Sequence, residues 1–267
     1  MIRIADVVQY LDSTFHPEYQ EDYDNAGFLV GDTAEEYRGA LVALDLTDEV
    51  LAEAKALGLN LIVTHHPLIF RGVKRITDSN ALGQLLLDLI QSKVAVYAAH
   101  TNLDNLPWGV SGVLAEKLGL QNCRILRAAG VQPAATAEDG AVGSGMVGEL
   151  PESVSTKDFL HKAKQLTGIP TIRYAGGHGE VKRVALCGGS GAEFIPDAIA
   201  SGADIYLTAD LKYHDFQQST GHMTLADIGH YESEQFAKEI ISHAIMEKFS
   251  NFACRISERQ KSLVQYI

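Results

Sequence analysis

An apolar run that ends in two adjacent histidines is the sequence feature that most constrains how this chain can fold. Residues 61–63 are all large and aliphatic, which is typical of a strand buried on both faces inside a parallel sheet. The polar triplet Thr64-His65-His66 follows, and Pro67 then has no N–H group with which to continue a strand ladder. Because ligands bind beyond the carboxyl ends of parallel strands in open α/β sheets, we expect His65 and His66 at a ligand-binding edge.

Strands and helices alternate through the first half of the chain, which predicts an α/β fold with mainly parallel sheets and right-handed crossovers. Apolar runs predict the strands, and amphipathic stretches that begin at a capping residue predict the helices. The predicted strands are 40–44, 61–64 and 94–99, and the predicted helices are 48–57, 79–91 and 110–118. Asp78 or Ser79 is the expected cap of the second of these helices.

A segment of the second half repeats the pattern around the two histidines. The equivalent residues lie 144 positions apart and form three pairs: Gly58 with Gly202, Asn60 with Asp204, and Thr64 with Thr208. Strand 42–44 corresponds to strand 184–186, with two extra residues in a glycine-rich turn at 187–191. We therefore predict two similar βαβ halves that face each other. The turn fits either a phosphate cradle or close packing of the next helix.

The stretch 127–145 is rich in alanine and glycine and poor in large apolar residues, so we expect a loop that passes between domains. Within it, residues 143–148 match the dinucleotide-binding pattern G-x-G-x-x-G. No strand precedes that pattern, and Pro151 stands where the helix should begin, so a strand or hairpin is predicted instead. A last strand at 262–266 is expected to join the first sheet.

Charge and composition exclude several classes of protein. The 267 residues carry a net charge of −12, which repels polyanions and disfavours general nucleic-acid binding. No apolar run approaches the roughly 20 residues that a membrane helix needs, and acidic residues interrupt the N-terminal apolar stripe. The three cysteines share no metal-binding spacing and are expected as reduced thiols. We therefore expect a cytoplasmic protein without membrane association.

Three separate segments place ligand-capable side chains at the end of a predicted element. They contain His65 and His66, then His100 and Asp104, then His230 and Glu234. An isolated pair of histidines is equally well explained by surface or hydrogen-bonded side chains, but three clusters together favour a metal site. Imidazole and carboxylate ligands without cysteine suit Zn, Fe or Mn.

The number of ligands predicts two divalent transition-metal ions, in the cleft between the two halves, because one tetrahedral ion needs only four. Glu234 is the expected bridging carboxylate, since it is four residues from His230 and shares its helical face. His100 either binds metal or orients a ligand, and His214 beside Tyr213 either faces the substrate or belongs to a turn.

Domain boundaries follow from these clusters, because two of them precede the expected passage and the third follows the second half. The chain must then return to its first half, which makes the first domain discontinuous. The predicted domains are a metal-binding α/β domain of residues 1–126 and 227–267 and a second α/β domain of residues 127–226.

The chain resembles the NIF-three-like family, the dinuclear-metal GTP cyclohydrolase 1 type 2 homologues. The matching motifs are Tyr23-Asp24-Asn25-Ala26-Gly27, Thr64-His65-His66-Pro67, His100-Thr101-Asn102-Leu103-Asp104, Thr208-Ala209-Asp210 with Tyr213-His214, and Gly229-His230-Tyr231-Glu232-Ser233-Glu234. The resemblance implies that two metal ions are bound by His65, His66, Asp104, His230 and Glu234. It also implies a homohexameric toroid of two-domain α/β subunits. Ala209 stands where many members have glycine and touches no proposed ligand.

Two functional hypotheses follow. The first is a metal-dependent hydrolase acting on a small molecule, with GTP the nucleotide that the family name suggests. A metal-bound hydroxide would open the imidazole ring of GTP with release of formate, and His100 or His214 would act as acid or base. The second is a metal-containing binding or regulatory protein without turnover, since fold and metal centre are shared more widely than chemistry.

Overall fold

The structure is a computed structural model that describes residues 1–129, 141–177 and 179–267. The chain divides into two compact units, each built from two stretches of sequence. Unit 1 comprises Met1–Leu103 and Ala237–Lys261, and unit 2 comprises Asp104–Phe236 and Ser262–Ile267. The central part of the loop expected at 127–145, residues 130–140, lies outside the described residues. Within the described ranges, no helix combines the length and apolarity needed to cross a bilayer.

The helices and strands alternate along much of the chain, and they are numbered here in chain order. The strands are β1 (Gly27–Val30), β2 (Gly39–Ala43), β3 (Leu61–Thr64), β4 (Ala95–Ala98), β5 (Gln121–Ala128), β6 (Gly143–Ser155), β7 (Arg173–Ala175), β8 (Glu180–Ser190), β9 (Ile205–Ala209), β10 (Thr224–Asp227) and β11 (Ala253–Ile256). The helices are α1 (Ile4–Phe15), α2 (Asp48–Ala56), α3 (Ala81–Ser92), α4 (Thr101–Asp104), α5 (Val110–Lys117), α6 (Thr156–Thr167), α7 (Ile195–Ala200), α8 (Tyr213–Gln218), α9 (His230–Glu234) and α10 (Ala237–Lys248).

Unit 1 is organised around a five-stranded sheet in the order β1-β4-β3-β2-β11. Strands β4, β3, β2 and β11 run parallel, and β1 pairs antiparallel with β4. Every residue of β2, β3 and β4 is buried, as expected for a parallel sheet that is covered on both faces. The predicted α/β class with a mainly parallel sheet is confirmed here.

Capping side chains fix where the helices of unit 1 begin. Thr47 accepts a hydrogen bond from the backbone N–H of Val50 at the start of α2, as the sequence predicts. The cap of α3 is Asn80, whose side chain accepts from the N–H of Gly83, and the expected caps Asp78 and Ser79 are therefore wrong. The helix starts at Ala81 because Asn80, the residue before it, has the extended backbone that a cap requires.

The strand expected at 262–266 is also wrong. The last strand of the unit 1 sheet is β11, which pairs parallel with β2 and so occupies the sheet edge that the later segment was expected to join. Leu263 and Val264 are 82% and 62% exposed, and they belong to unit 2.

Unit 2 contains a six-stranded mixed sheet in the order β5-β6-β8-β9-β10-β7. Strands β8, β9 and β10 are parallel, whereas β5, β6 and β8 form an antiparallel run. The G-x-G-x-x-G segment lies in β6, which confirms the predicted strand. The division of the chain differs from the predicted boundaries at 126 and 227, because β5 pairs with β6 and β10 with β9, which keeps both strands in unit 2.

The internal repeat is visible in the strand register. Ala40 pairs with Leu61 in unit 1, and Val184 pairs with Ile205 in unit 2, so both strands of the pair are 144 residues from their equivalents. The strand after each pair, β4 or β10, is parallel, and the strand beyond it, β1 or β7, is antiparallel. The predicted equivalence of strands 61–64 and 205–208 is confirmed, but the expected two-residue insertion is wrong because one offset fits both strands.

A side chain that accepts a backbone hydrogen bond occupies the same position of each repeat. Asn60 accepts from the N–H of Arg38, and Asp204 accepts from the N–H of Lys182, each over 2.8 Å. The Asn60 side-chain amide also donates to the carbonyl of Glu36 over 2.8 Å. One side chain thus satisfies two backbone groups of the segment that leads into β2.

We predict that Asn60→Ala destabilises unit 1. Asn60 is 1% exposed, and without its side chain the Arg38 N–H and the Glu36 carbonyl lose their hydrogen-bond partner. The expected loss is about 1–3 kcal/mol in the free energy of unfolding, measured with urea. Asn251→Ala, at an exposed position, is the control and should stay within about 0.5 kcal/mol of the wild type. Equal stabilities of the two variants would contradict the assigned role.

Candidate metal centre

Unit 1 brings three of the predicted site histidines together. His65 and His66 directly follow β3, and His100 follows β4, the parallel neighbour of β3, so all three lie at the carboxyl edge of the sheet. The ring centroids are 5.1 Å apart for His65 and His66, 5.4 Å for His65 and His100, and 5.6 Å for His66 and His100. The clustering of these rings follows from the parallel register of the two strands.

Each of these rings is held by a hydrogen bond from its Nδ1 atom to an oxygen 2.7 Å away. The acceptors are the backbone carbonyl of Ala99 for His65, the Asp45 carboxylate for His66 and the Asp24 carboxylate for His100. Carbonyl and carboxylate oxygens only accept, so Nδ1 carries the proton in each ring. Nε2 is then the nitrogen able to bind a metal, an arrangement that is typical of metal-ligating histidines.

Asp24 is the residue that fixes His100, and its carboxylate is shielded from solvent. It accepts hydrogen bonds from His100, from the N–H and hydroxyl of Thr101, and from the N–H of Asn25. Burial raises the pKa of Asp24, but the hydrogen bonds from His100, Thr101 and Asn25 outweigh it and lower the pKa to about 2. The carboxylate therefore stays ionised and ties the start of α4 to the loop before β1.

Unit 2 holds the second cluster. His230 and Glu234 share one face of α9, as predicted, with His230 Nε2 2.9 Å from Glu234 Oε2. His230 Nδ1 lies 2.7 Å from the Asp210 carboxylate, which directly follows β9. Burial lowers the pKa of His230, but the hydrogen bonds to Asp210 and Glu234 raise it to about 11. An imidazole between two carboxylates marks this end of α9 as a strong site for positive charge.

The glycine-rich turn makes room for Glu234. A Cβ atom on Gly189 would lie 2.0 Å from Glu234 Oε1, and Gly189 has a left-handed φ of +64°. The N–H of Gly189 donates to the hydroxyl of Ser233, the residue before Glu234. The turn is therefore closely packed against a helix, but that helix is α9 and not the next helix, α7, which the sequence interpretation named.

Asp104 lies in the same electrostatic environment as Glu234. Burial raises the pKa of the Cys187 thiol, and the negative charges of Asp104 and Glu234 raise it further. Asp104 and Glu234 therefore both lie close enough to the buried Cys187 thiol of unit 2 for their charges to act on it.

His214 is on the exposed helix α8, and its Nδ1 is 3.4 Å from the side-chain oxygen of Gln217. Its ring contacts that of Tyr213, which is 81% exposed. In the ranges that the structure describes, no hydrogen bond joins His214 to a predicted ligand of unit 2. The structure therefore groups His100 with candidate ligands, whereas His214 lies on an exposed helix and not in the turn that was the alternative interpretation.

Sequence reasoning missed the carboxylates that orient the histidines. Asp45 and Asp210 stand just past β2 and β9, where a polar residue after a buried strand was an available signal. Asp24 lies in the matching motif Tyr23-Asp24-Asn25-Ala26-Gly27, but nothing in that motif pointed to His100, which is 76 residues away in sequence.

These features define an α/β protein of two repeated sheets with histidine and carboxylate clusters at strand and helix ends. Residues 2–262 match the model of the Duf34/NIF3 (NGG1p interacting factor 3) family, and the chain belongs to that family. The resemblance recognised in the sequence is confirmed.

Relatives and solved structures agree with this assignment. Proteins named GTP cyclohydrolase 1 type 2 homolog are 33% identical in Clostridium perfringens, over all of both chains, and in Lactococcus lactis, over 89% of each. The Staphylococcus aureus hypothetical protein SA1388 is 33% identical with a TM-score of 0.90, covering 100% of this chain and 99% of its own. The Bacillus cereus protein related to NIF3, at 24% identity, TM-score 0.92 and 99% coverage of both chains, shares the fold.

We predict that Asp24→Asn lowers the free energy of unfolding by about 2 kcal/mol near neutral pH, in line with a pKa lowered from 3.8 to about 2. Because the folded-state pKa is the lower one, ionised Asp24 stabilises the fold above about pH 4, and this contribution is lost as the pH falls towards 2. Urea unfolding of the wild type and the variant between about pH 7 and pH 3 measures the difference.

The matched control is Asp22→Asn, an exposed carboxylate two residues away. It should change the unfolding free energy by less than about 0.5 kcal/mol at every pH. A gap between wild type and Asp24→Asn that stays constant as the pH falls would contradict the role of the ionised carboxylate.

Proposed function

We propose that this chain is a metal-dependent hydrolase that binds two divalent transition-metal ions through His65, His66, Asp104, His230 and Glu234. The observation that carries the proposal is the orientation of the histidines. His65, His66 and His230 each have Nδ1 hydrogen-bonded to a carbonyl or carboxylate oxygen. Such partners fix the tautomer that ligates through Nε2 and raise the basicity of the ring.

The donor set fits Zn, Fe or Mn, because it combines imidazole nitrogens with carboxylate oxygens. Its members belong to both units, and two of them stand close in sequence to a passage between the units. Asp104 follows Leu103, where unit 1 first ends, and Glu234 is three residues before Ala237, where unit 1 resumes.

Glu234 is the proposed bridging ligand. Its side chain is 5% exposed, Gly189 leaves space for one of its oxygens, and the other oxygen meets His230. A buried carboxylate with one oxygen paired to His230 and the other packed against Gly189 has the restricted orientation that a bridge requires.

When bound, two such ions lower the pKa of water and polarise an oxygen of the substrate. His100 is the proposed acid or base, because Asp24 fixes its Nδ1 proton and leaves Nε2 as the atom that exchanges one. His214 is the second candidate for this role.

GTP is the proposed substrate. This choice rests on the names of the relatives, GTP cyclohydrolase 1 type 2 homolog. Release of formate from the imidazole ring of GTP requires two waters: the first adds at C8 and opens the ring to a formamide, and the second hydrolyses that formamide, so that C8 leaves as formate and both ring nitrogens stay on the product. The homohexameric toroid stays a prediction, which light scattering of the purified protein tests.

We predict about two transition-metal ions per chain in protein purified without chelators, measured by elemental analysis. Glu234→Gln should lower the occupancy of both ions, because a bridge neutralises charge on both. Asp104→Asn should mainly remove one ion. Glu152→Gln, an exposed carboxylate of unit 2, is the control and should keep both ions. Near-complete occupancy in Glu234→Gln would show that Glu234 is not the bridge.

Turnover is tested by formate release from GTP and a panel of other nucleotides with metal-reconstituted protein. We predict formate from GTP, none from Glu234→Ala, and a kcat about 10²–10⁴-fold lower in His100→Asn. His214→Asn should have the smaller effect, since its side chain is exposed. A panel without turnover, with both metals bound, would instead support the metal-containing binding or regulatory protein.

A further inference from the structure

We propose that Tyr23 and the loop 70–75 of unit 1 form a nucleotide subsite, in which Tyr23 and Phe70 contact the base and three cationic side chains hold the phosphates. The cations are Arg71, Lys74 and Arg75. The inference deepens the proposed function, on which it rests, by assigning the recognition of substrate to particular residues.

Two exposed aromatic rings lie beside the histidine cluster. The ring centroid of Phe70 is 6.1 Å from that of His100 and 6.3 Å from that of Tyr23. Phe70 is 43% exposed and Tyr23 is 61% exposed. Exposed aromatic side chains next to a polar site are suited to stacking on a planar heterocycle.

The loop that presents Phe70 is anchored on both sides of it. The side-chain amide of Asn25 donates to the carbonyl of Ile69 over 2.6 Å, which links the Tyr23 segment to the loop. Leu68, Ile69 and Val73 pack against the core of unit 1. With these side chains turned inward, Phe70 and the charged side chains around Val73 remain at the surface in a defined arrangement.

The three cations line an open concavity of about 640 Å³, together with Val73 and Leu82. This volume is in the range of small-molecule sites. All three are exposed, and no ion pair involves them among the described residues. The chain carries 34 acidic and 22 basic residues, so three cations within five positions form a local reversal of the overall charge. Such a patch attracts phosphate groups, and arginine binds them with two parallel hydrogen bonds.

The order of these residues specifies the class of ligand. Phe70 is followed directly by Arg71, which lines the concavity, so one peptide bond joins the two halves of the proposed subsite. The ring site also adjoins His100, the proposed acid or base. A nucleotide, with a heterocyclic base at one end and phosphates at the other, matches both halves, whereas a phosphate ion alone would use only the cations.

Equilibrium dialysis of GTP against metal-loaded protein, carried out at low temperature, tests the subsite. The triple variant Arg71→Gln/Lys74→Gln/Arg75→Gln should bind GTP at least tenfold more weakly and lose most of the salt dependence of binding. The matched control, Lys55→Gln/Lys157→Gln/Lys248→Gln, removes the same charge from exposed positions elsewhere and should stay within about twofold of the wild type.

The aromatic half is tested separately. Phe70→Leu and Tyr23→Leu should each weaken GTP binding by about fivefold or more, from the loss of base stacking. Binding of inorganic triphosphate should be unchanged in both variants, because it presents no ring. Near-ultraviolet circular dichroism identifies any variant that fails to fold. In place of Phe70→Leu, the variant Phe70→Tyr keeps the ring and should bind GTP as the wild type does.

The outcomes separate the subsite from the hydrolase. If wild-type protein binds no GTP, or if the triple variant and Phe70→Leu bind it like the wild type, the subsite is wrong, even where formate is released. Equal affinities for GTP and inorganic triphosphate would overturn the role of the aromatic pair. GTP binding that depends on these residues, without formate release, would uphold the subsite and overturn the hydrolase.

Discussion

The candidate site depends on one repeated interaction, a hydrogen bond of 2.7 Å from a histidine Nδ1 atom to a fixed oxygen. His65, His66, His100 and His230 all make it, and the acceptors come from different segments of the chain. A single imidazole could point in several directions at the end of a strand. In each ring the oxygen partner removes that freedom, selects the tautomer and fixes the direction in which Nε2 points.

The sheets supply the positions of these partners. The parallel register of β3 and β4 places the carbonyl of Ala99 beside His65, and the ends of β2 and β9 position Asp45 and Asp210. Because the unit is repeated at an offset of 144 residues, the same strand-end geometry occurs twice with different side chains. Unit 1 uses it for a cluster of histidines, and unit 2 uses it for a histidine between carboxylates.

Much of this could be predicted from local sequence. The buried run before His65 fixed the strand, the spacing of His230 and Glu234 fixed their shared helical face, and the repeat showed through Gly58 and Gly202. What the sequence could not supply depends on contacts between distant segments. Asp24 belongs to a motif that carries the family resemblance, but no local pattern links it to His100, which is 76 residues away in sequence. The edge of β2 is taken by β11 instead of 262–266 because competition for a sheet edge is a tertiary property.

X-ray diffraction from crystals of metal-loaded protein, with anomalous data at the absorption edge of the metal, would show whether the oriented histidines are the ligands. We expect two ions about 3.5–4 Å apart, with His65, His66 and His230 bound through Nε2 at about 2.0–2.2 Å. Their Nδ1 atoms should keep the hydrogen bonds to Ala99, Asp45 and Asp210. Ligation through Nδ1, or ions bound without these histidines, would contradict this expectation.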